Sequence, residues 1–280
     1  MRNVNVELIA ESVRKLCMDA NYYLGDDVVE AIRSAKGKEE SPLGREILEQ
    51  ILQNAEIAKN EQMPLCQDTG LTAVFAELGQ EVHIEGGSFE EAIQEGVRHG
   101  YKDGYLRKSM VEDPLRRKNT GDNTPAVIST RLVAGDKIKI TILPKGGGSE
   151  NMSAIKMLKP SDGEDGVKDF VVETVRKAGG NPCPPIIVGV GIGGSFDKSA
   201  YLAKKALLRE LGSVHPDPYY AAMEKELLER VNNTGIGPQG LGGRITALAV
   251  HIETHPCHIA SLPVAVNTQC HSARHKEFVI

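Results

Sequence analysis

The chain has 280 residues, 40% of them hydrophobic and 25% charged, enough for one large core or two modest ones. Its formal net charge of -5 and its 4% aromatic content, with no tryptophan, argue against a nucleic-acid surface, which needs positive charge or stacking platforms. No apolar run approaches a membrane span, and the first residues, Met1-Arg2-Asn3-Val4-Asn5-Val6-Glu7, carry acid without an apolar signal core, so a cytoplasmic location is expected.

The first sixty residues read as helices. Leu8, Ile9, Val13, Leu16 and Ala20 recur at helical spacing, and Cys17 lies on that same apolar face as core filler. Asp26 or Asp27 is placed to cap a second helix, and Ser41-Pro42 pairs a capping hydroxyl with proline at the first helical position of a third. The loop Met63-Pro64-Leu65-Cys66-Gln67-Asp68-Thr69-Gly70 follows, crowding a thiol, an amide and a carboxylate at one turn. Leu71 to Leu78 and Val82 to Ile84 read as strands, and Ser88-Phe89-Glu90-Glu91 as a capping box opening a helix.

From Tyr101 to Thr124 the chain is polar and irregular, ending in the turn formers Gly121-Asp122-Asn123-Thr124-Pro125. Val127 to Val133 and Lys137 to Leu143 alternate like strands, and Ala134-Gly135-Asp136 predicts a hairpin between them. Ser161-Asp162-Gly163-Glu164 reads as another capping box, Ser195 and Asp217-Pro218 as further helix starts. Ile186 to Val190, Ile245 to Ile252 and Leu262 to Val266 read as strands. Helices and strands mix without strict alternation, so the expectation is an α+β fold with mixed sheets flanked by helices: one domain over 1–280, helical over 1–60 and mixed over 61–280.

Five cysteines, scattered and odd in number, do not form a secreted disulfide framework. Cys66, Cys183 and Cys270 share a setting, a loop at a strand boundary among Pro, Gly, Gln or Asn. Their spacing matches no zinc finger or ferredoxin run, so it leaves open both three unrelated thiols and three thiolates around an iron–sulfur cluster. Gly189-Val190-Gly191-Ile192-Gly193-Gly194 has the look of a dinucleotide turn, but the acid expected about 20 residues on is Glu210, within a predicted helix, so a tight structural turn is the better reading. The backbone amides of Lys145-Gly146-Gly147-Gly148-Ser149 suit an anion or a plain turn. Arg107 is either a surface cation or a carboxylate clamp. Of the histidines crowding the last thirty residues, His258 is the functional candidate.

Taken together, Cys66-Gln67-Asp68-Thr69-Gly70, Gly121-Asp122-Asn123-Thr124-Pro125, Pro144-Lys145-Gly146-Gly147-Gly148-Ser149-Glu150, Pro182-Cys183-Pro184-Pro185 and Gly237-Pro238-Gln239-Gly240 resemble the signatures of the iron–sulfur hydro-lyases, class I fumarases and L-tartrate dehydratases, in the family's order. The match is to the α subunit of the two-chain enzymes. The resemblance implies a 4Fe-4S cluster held by Cys66, Cys183 and Cys270, and a substrate site with Asp68 as catalytic residue and Gln67, Arg107, Gly147 and His258 as binding residues. It further implies a small dicarboxylate substrate, fumarate first and L-tartrate second, and a separate β subunit supplying the base and further cations, within a higher oligomer. A nucleotide-binding dehydrogenase or a non-catalytic iron–sulfur protein are the competing classes.

Overall fold

Local capping chemistry marks four of the helix starts. Asn5 accepts from the Glu7 amide at 2.7 Å, the Ser41 hydroxyl from Gly44 at 3.1 Å, Ser88 from Glu91 at 3.4 Å and Asp217 from Tyr219 at 2.9 Å. In the computed structural model, which describes all 280 residues, the elements run β1 (Arg2–Asn5), α1 (Val6–Tyr22), α2 (Asp26–Lys38), α3 (Pro42–Glu61), β2 (Leu71–Gly79), β3 (Val82–Glu85), α4 (Phe89–Asp103), β4 (Val127–Val133), β5 (Ile138–Lys145) and α5 (Gly147–Glu150). They continue β6 (Ala154–Leu158), α6 (Gly163–Ala178), β7 (Ile186–Gly193), α7 (Phe196–Ala206), α8 (Pro218–Asn232), β8 (Ala247–His255), β9 (Leu262–Gln269) and β10 (Lys276–Val279). Helices and mixed sheets make this an α+β protein. No helix is long and apolar enough to cross a membrane.

Contacts divide the chain into two units that alternate along the sequence. The first comprises Met1–Leu24, Asn54–Gly147 and Arg274–Ile280; the second comprises Gly25–Gln53 and Gly148–Ala273. The first unit has a four-stranded sheet in the order β10-β5-β2-β4. Strand β2 pairs antiparallel with β5 and parallel with β4. The α1 face bearing Ile9, Val13, Leu16 and Cys17 shares a core with Ile93, Val97 and Tyr101 of α4 and with Val74, Ile138, Ile140 and Ile142 of the sheet. Full burial of each such aliphatic side chain contributes about 1.5–3 kcal/mol. Cys17 is indeed core filler, fully buried.

The expected hairpin of β4 and β5 does not form, because β2 lies between them. Their connection instead crosses the end of β2: Gly79 N–H donates to Lys137 at 2.9 Å, Gln80 to Val133 at 2.8 Å and Glu81 to Gly135 at 3.0 Å. The physical reason is burial. Strand β2 is mostly buried and takes an inner position, whereas β4 is mostly exposed and takes the edge.

The second unit has the sheet order β6-β9-β7-β8, with β7 parallel to β8 and antiparallel to β9. Val188, Val190 and Ile192 of β7 share a core with Val171 of α6 and Met223 and Leu227 of α8. The alternate residues Gly189 and Gly191 face α7, where a Cβ would collide with the backbone carbonyls of Ala203 and Ser199. These glycines therefore belong to a strand that admits a helix at close range, and not to the turn expected from the sequence. At α6 the expected cap also differs: Ser161 is not the capping residue, and the Asp162 carboxylate accepts from the Lys159 amide at 2.8 Å. Ser195 stands at the start of α7 but makes no side-chain cap, its hydroxyl turning to Asp197. Gly25 occupies the position before α2, and the Asp27 carboxylate accepts from Leu211 at 2.9 Å.

Two buried titratable groups brace this unit. Glu39, at the end of α2, accepts from the amides of Ser41 at 2.9 Å, Arg244 at 2.8 Å and Ile245 at 2.7 Å. Burial pushes its carboxyl up, but these backbone amides together with that of Glu40 hold it below the ordinary value. His251 of β8 is buried, its Nδ1 3.3 Å from the Ala206 carbonyl oxygen. Burial first, and the Arg209 cation second, push it down to about 4. An unfolded chain takes up this proton near pH 6.5, so stability is full above that pH and falls as pH drops from 6.5 toward 4. The full loss from this group is roughly 3 kcal/mol. Urea denaturation at pH 7.5 and 5.0 is expected to show His251→Phe losing less stability on acidification than the parent chain, by about 2 kcal/mol. Equal losses would remove His251 from the account.

Candidate functional site

The Cys66–Gly70 loop is held from all sides within the first unit. Leu65, just ahead of it, donates to the Asn21 carbonyl at 2.9 Å and accepts from the Asn54 side chain at 2.8 Å. Beyond it, the buried Tyr101 hydroxyl bonds the carbonyls of Thr69 at 2.8 Å and Gly70 at 3.2 Å. Gly70 has φ 75°, and a Cβ there would lie 2.7 Å from the Lys145 backbone. Only glycine lets the loop come so close to the end of β5.

This geometry fixes Asp68. Its Oδ1 accepts from the Gly70 amide at 3.0 Å and from Arg107 Nη2 at 2.8 Å; its Oδ2 accepts from the Gly147 amide at 2.8 Å. Three of the residues expected at a substrate site, Asp68, Arg107 and Gly147, thus meet at one carboxylate. The Arg107 side chain is 51% exposed and that of Asp68 26%, so the pair adds little to stability. What it provides is a pair of donors open to solvent and already arranged around a carboxylate. Beside it, the Cys66 sulfur accepts from the Asp68 amide at 3.4 Å. Gln67 is exposed at the tip.

The Gly121-Asp122-Asn123-Thr124-Pro125 segment supports this loop. Asn123 is buried with φ 66°; its Oδ1 accepts from Ser109 at 2.6 Å and Met110 at 3.2 Å, and its Nδ2 donates to the Gly70 carbonyl at 3.2 Å. One side chain therefore ties the Arg107 segment to the Asp68 loop. The Thr69 hydroxyl adds a bond to the Arg107 carbonyl at 2.8 Å. Asp122 accepts from the Thr124 amide and hydroxyl and from Arg98. Burial raises its carboxyl, and those donors outweigh burial to leave it below the usual range.

In the second unit, Cys183 is exposed with φ 57°, its amide bonded to the Gly180 carbonyl at 3.0 Å. The Gln239 backbone and side-chain amides both donate to the Pro184 carbonyl at 2.8 Å, so the Gly237-Pro238-Gln239-Gly240 segment buttresses the Cys183 loop. Cys270 is half-buried, directly after β9. The His271 amide donates to the Cys183 carbonyl at 3.3 Å, which brings the Cys183 and Cys270 loops together. His258 lies on the exposed loop after β8, where its Nδ1 accepts from the Ala260 amide at 3.1 Å. Cys257 is exposed and donates to the Ser261 carbonyl at 3.3 Å.

These residues suit an iron–sulfur cluster in their chemistry. The Cys66 and Cys183 loops are held by backbone hydrogen bonds, and the Cys66 sulfur already accepts an amide hydrogen, as a cluster-bound thiolate does. Nowhere do three His, Cys, Asp or Glu side chains close on a single-ion site. Residues that the sequence did not single out also carry the geometry. Tyr101 and Asn123 hold the loop, and Arg274 donates to the Asp68 carbonyl at 2.6 Å. Asn123 had a signal in its turn-rich segment, whereas Arg274 had none.

Residues 10–279 match the family model described as fumarate hydratase (fumerase). A Methanocaldococcus jannaschii protein provisionally named L(+)-tartrate dehydratase subunit alpha is 48% identical over 272 residues, covering 95% of each chain. L(+)-tartrate dehydratase subunit alpha of Escherichia coli strain UTI89 is 35% identical over 272 residues, covering 96% of this chain and 89% of the relative.

Proposed function

Because the chain belongs to the fumarate hydratase (fumerase) family, we propose that it is the α subunit of a hydro-lyase that adds or removes water on a small dicarboxylate, fumarate to L-malate. The observation that carries this reading is the Asp68 carboxylate bridging Arg107 and the Gly147 amide beside Cys66. Two donors already arranged around a carboxylate of the chain itself support a carboxylate-binding role. An incoming diacid competes for the same two donors and takes them over. Asp68, released from Arg107, is then free to take up a proton from solvent and pass it to the departing hydroxyl, or to position the leaving water. Gln67, exposed at the loop tip, and His258 are assigned to the remaining substrate contacts.

Cys66, Cys183 and Cys270 are assigned as ligands of a 4Fe-4S cluster. When bound, its iron without a protein ligand supplies a Lewis acid for the hydroxyl and carboxylate of the substrate. Arg107 and the Gly147 amide then hold carboxylate oxygens against the charge that builds up as a proton leaves the neighbouring carbon. The relatives' names as subunit alpha support a β partner. To that partner we assign the base, and to the active enzyme a higher oligomer.

L-tartrate dehydration is the second reading, favoured by those same names. Both reactions need the same elimination from a diacid. The chain, reconstituted anaerobically with iron and sulfide and combined with its β partner, is to be assayed with fumarate, L-malate and both tartrate enantiomers. Fumarate and malate are expected to interconvert fastest. A preference for L-tartrate would replace the first reading with the second, and turnover of none of the four would remove both.

A further inference from the structure

Arg274 follows Cys270 by four residues and is 1% exposed. A guanidinium stays charged at every pH a protein meets, and burying one is costly unless an opposite charge answers it. Its hydrogen-bond partners here are neutral. Nη2 donates to the Asp68 carbonyl at 2.6 Å, Nη1 donates to Asn21 Oδ1 at 3.2 Å, and the buried Nε has no partner. Asn21 in turn accepts the Leu65 amide on its own carbonyl and donates its side chain to the Cys17 carbonyl at 2.8 Å. Arg274 therefore braces the chain on both sides of Cys66: at Leu65 through Asn21, and at Asp68 directly. A neutral glutamine could make one or two of these bonds at less cost in desolvation. The retained charge calls for an anion.

Resting on the cofactor reading above, we propose that Arg274 is the positioning residue of the Cys66–Asp68 loop and the buried counter-charge of the group that loop binds. Three thiolates around a doubly positive cluster core leave the assembly anionic, and a dicarboxylate adds further negative charge. Arg107, half exposed, is placed for the substrate. Arg274 is closed off from solvent, so its field is fixed and unscreened and acts on whatever anion the loop holds. By bonding the Asp68 carbonyl it also sets the peptide plane from which the Asp68 carboxylate projects toward Arg107 and Gly147.

The test uses the full chain reconstituted anaerobically with iron and sulfide, as the parent and as Arg274→Gln and Arg274→Lys. Two quantities are read: the rate of iron loss to a chelator and the reduction potential of the bound cluster. Glutamine removes the charge, which is expected to shift the potential to more negative values and to speed iron loss about tenfold. Lysine keeps the charge but not the fork, so the potential is expected to stay near the parent's while iron loss still quickens. A merely structural arginine would alter melting without separating the two variants in potential. Potentials and iron loss unchanged in both variants would overturn the proposal. Should the glutamine chain not fold, the lysine chain decides: a potential shifted away from the parent's, or unchanged iron loss, overturns it. A parent chain that takes up no iron and sulfide would instead refute the cofactor reading itself, and this inference with it.

Discussion

Asp68→Asn is expected to lower kcat roughly 100- to 10,000-fold with little rise in KM. The amide keeps one acceptor oxygen and the shape of the carboxylate, so the loop bonded by Arg274 and Tyr101 stays in place. What it loses is the ability to carry a proton. It also loses its hold on one of two donors, since its two oxygens now serve Arg107 and Gly147 separately. A weaker internal competitor leaves those donors more open to the substrate carboxylate, so KM is expected to stay level or fall. Steady-state kinetics of the variant, assembled with its β partner, separates the possibilities. A raised KM with kcat intact would make Asp68 an anchor of the Gly147 turn and nothing more.

Cys66→Ser is expected to abolish both bound iron and activity. A serine hydroxyl stays protonated at neutral pH and is a poor ligand for iron–sulfur clusters, and two remaining thiolates hold a cluster weakly. Cys183→Ser and Cys270→Ser are expected to behave alike, because each removes one of the three proposed ligands. Two internal controls come from the structure. Cys257 is exposed and occupied with its own loop through the Ser261 carbonyl, so Cys257→Ala is expected to keep iron and activity. Cys17 is sealed in the α1–α4 core, where burial pushes its thiol up, so Cys17→Ala is expected to lower stability without changing iron content. Iron and sulfide analysis beside urea denaturation reads all five. A Cys66→Ser chain with full iron would break the ligand assignment.

Much of the secondary structure was legible because its causes are local. The spacing of Ile9, Val13 and Leu16, the Ser41-Pro42 start and the Ser88 cap act within a few residues and say the same thing in sequence and in structure. Strand partnership is not local. The turn at Ala134-Gly135-Asp136 has the composition of a hairpin, but which strands pair is decided by the buried β2, some sixty residues earlier in the chain. The short strands β1, β6 and β10 leave no mark in the sequence for a related reason. Each has only four or five residues, too few for periodicity to declare itself, and each exists through its partner. The glycines of β7 mimic a nucleotide turn because both settings need backbone without Cβ, and only the position of α7 tells them apart.

The candidate site shows the same division. Cys66, Asp68 and Gly147 stood out because their segments are dense in residues with special chemistry or special backbone. The meeting of Arg107 with Asp68 could be anticipated only through family resemblance, since 39 residues separate them. Arg274 could not be anticipated at all. In one dimension a buried arginine in Ser272-Ala273-Arg274-His275 is identical to a solvated one, and only its depth in the fold reveals that its charge has been kept at a cost.

The chain crosses from one unit to the other four times, once in the middle of α3, between Gln53 and Asn54. No uninterrupted stretch of the polypeptide encodes either body. The first body therefore has all its strands, β10 among them, only once the chain has been made through Arg274–Ile280. Removal of Arg274–Ile280 strips an earlier-made sheet of one edge strand, and neither body is available to genetic shuffling as a portable cassette.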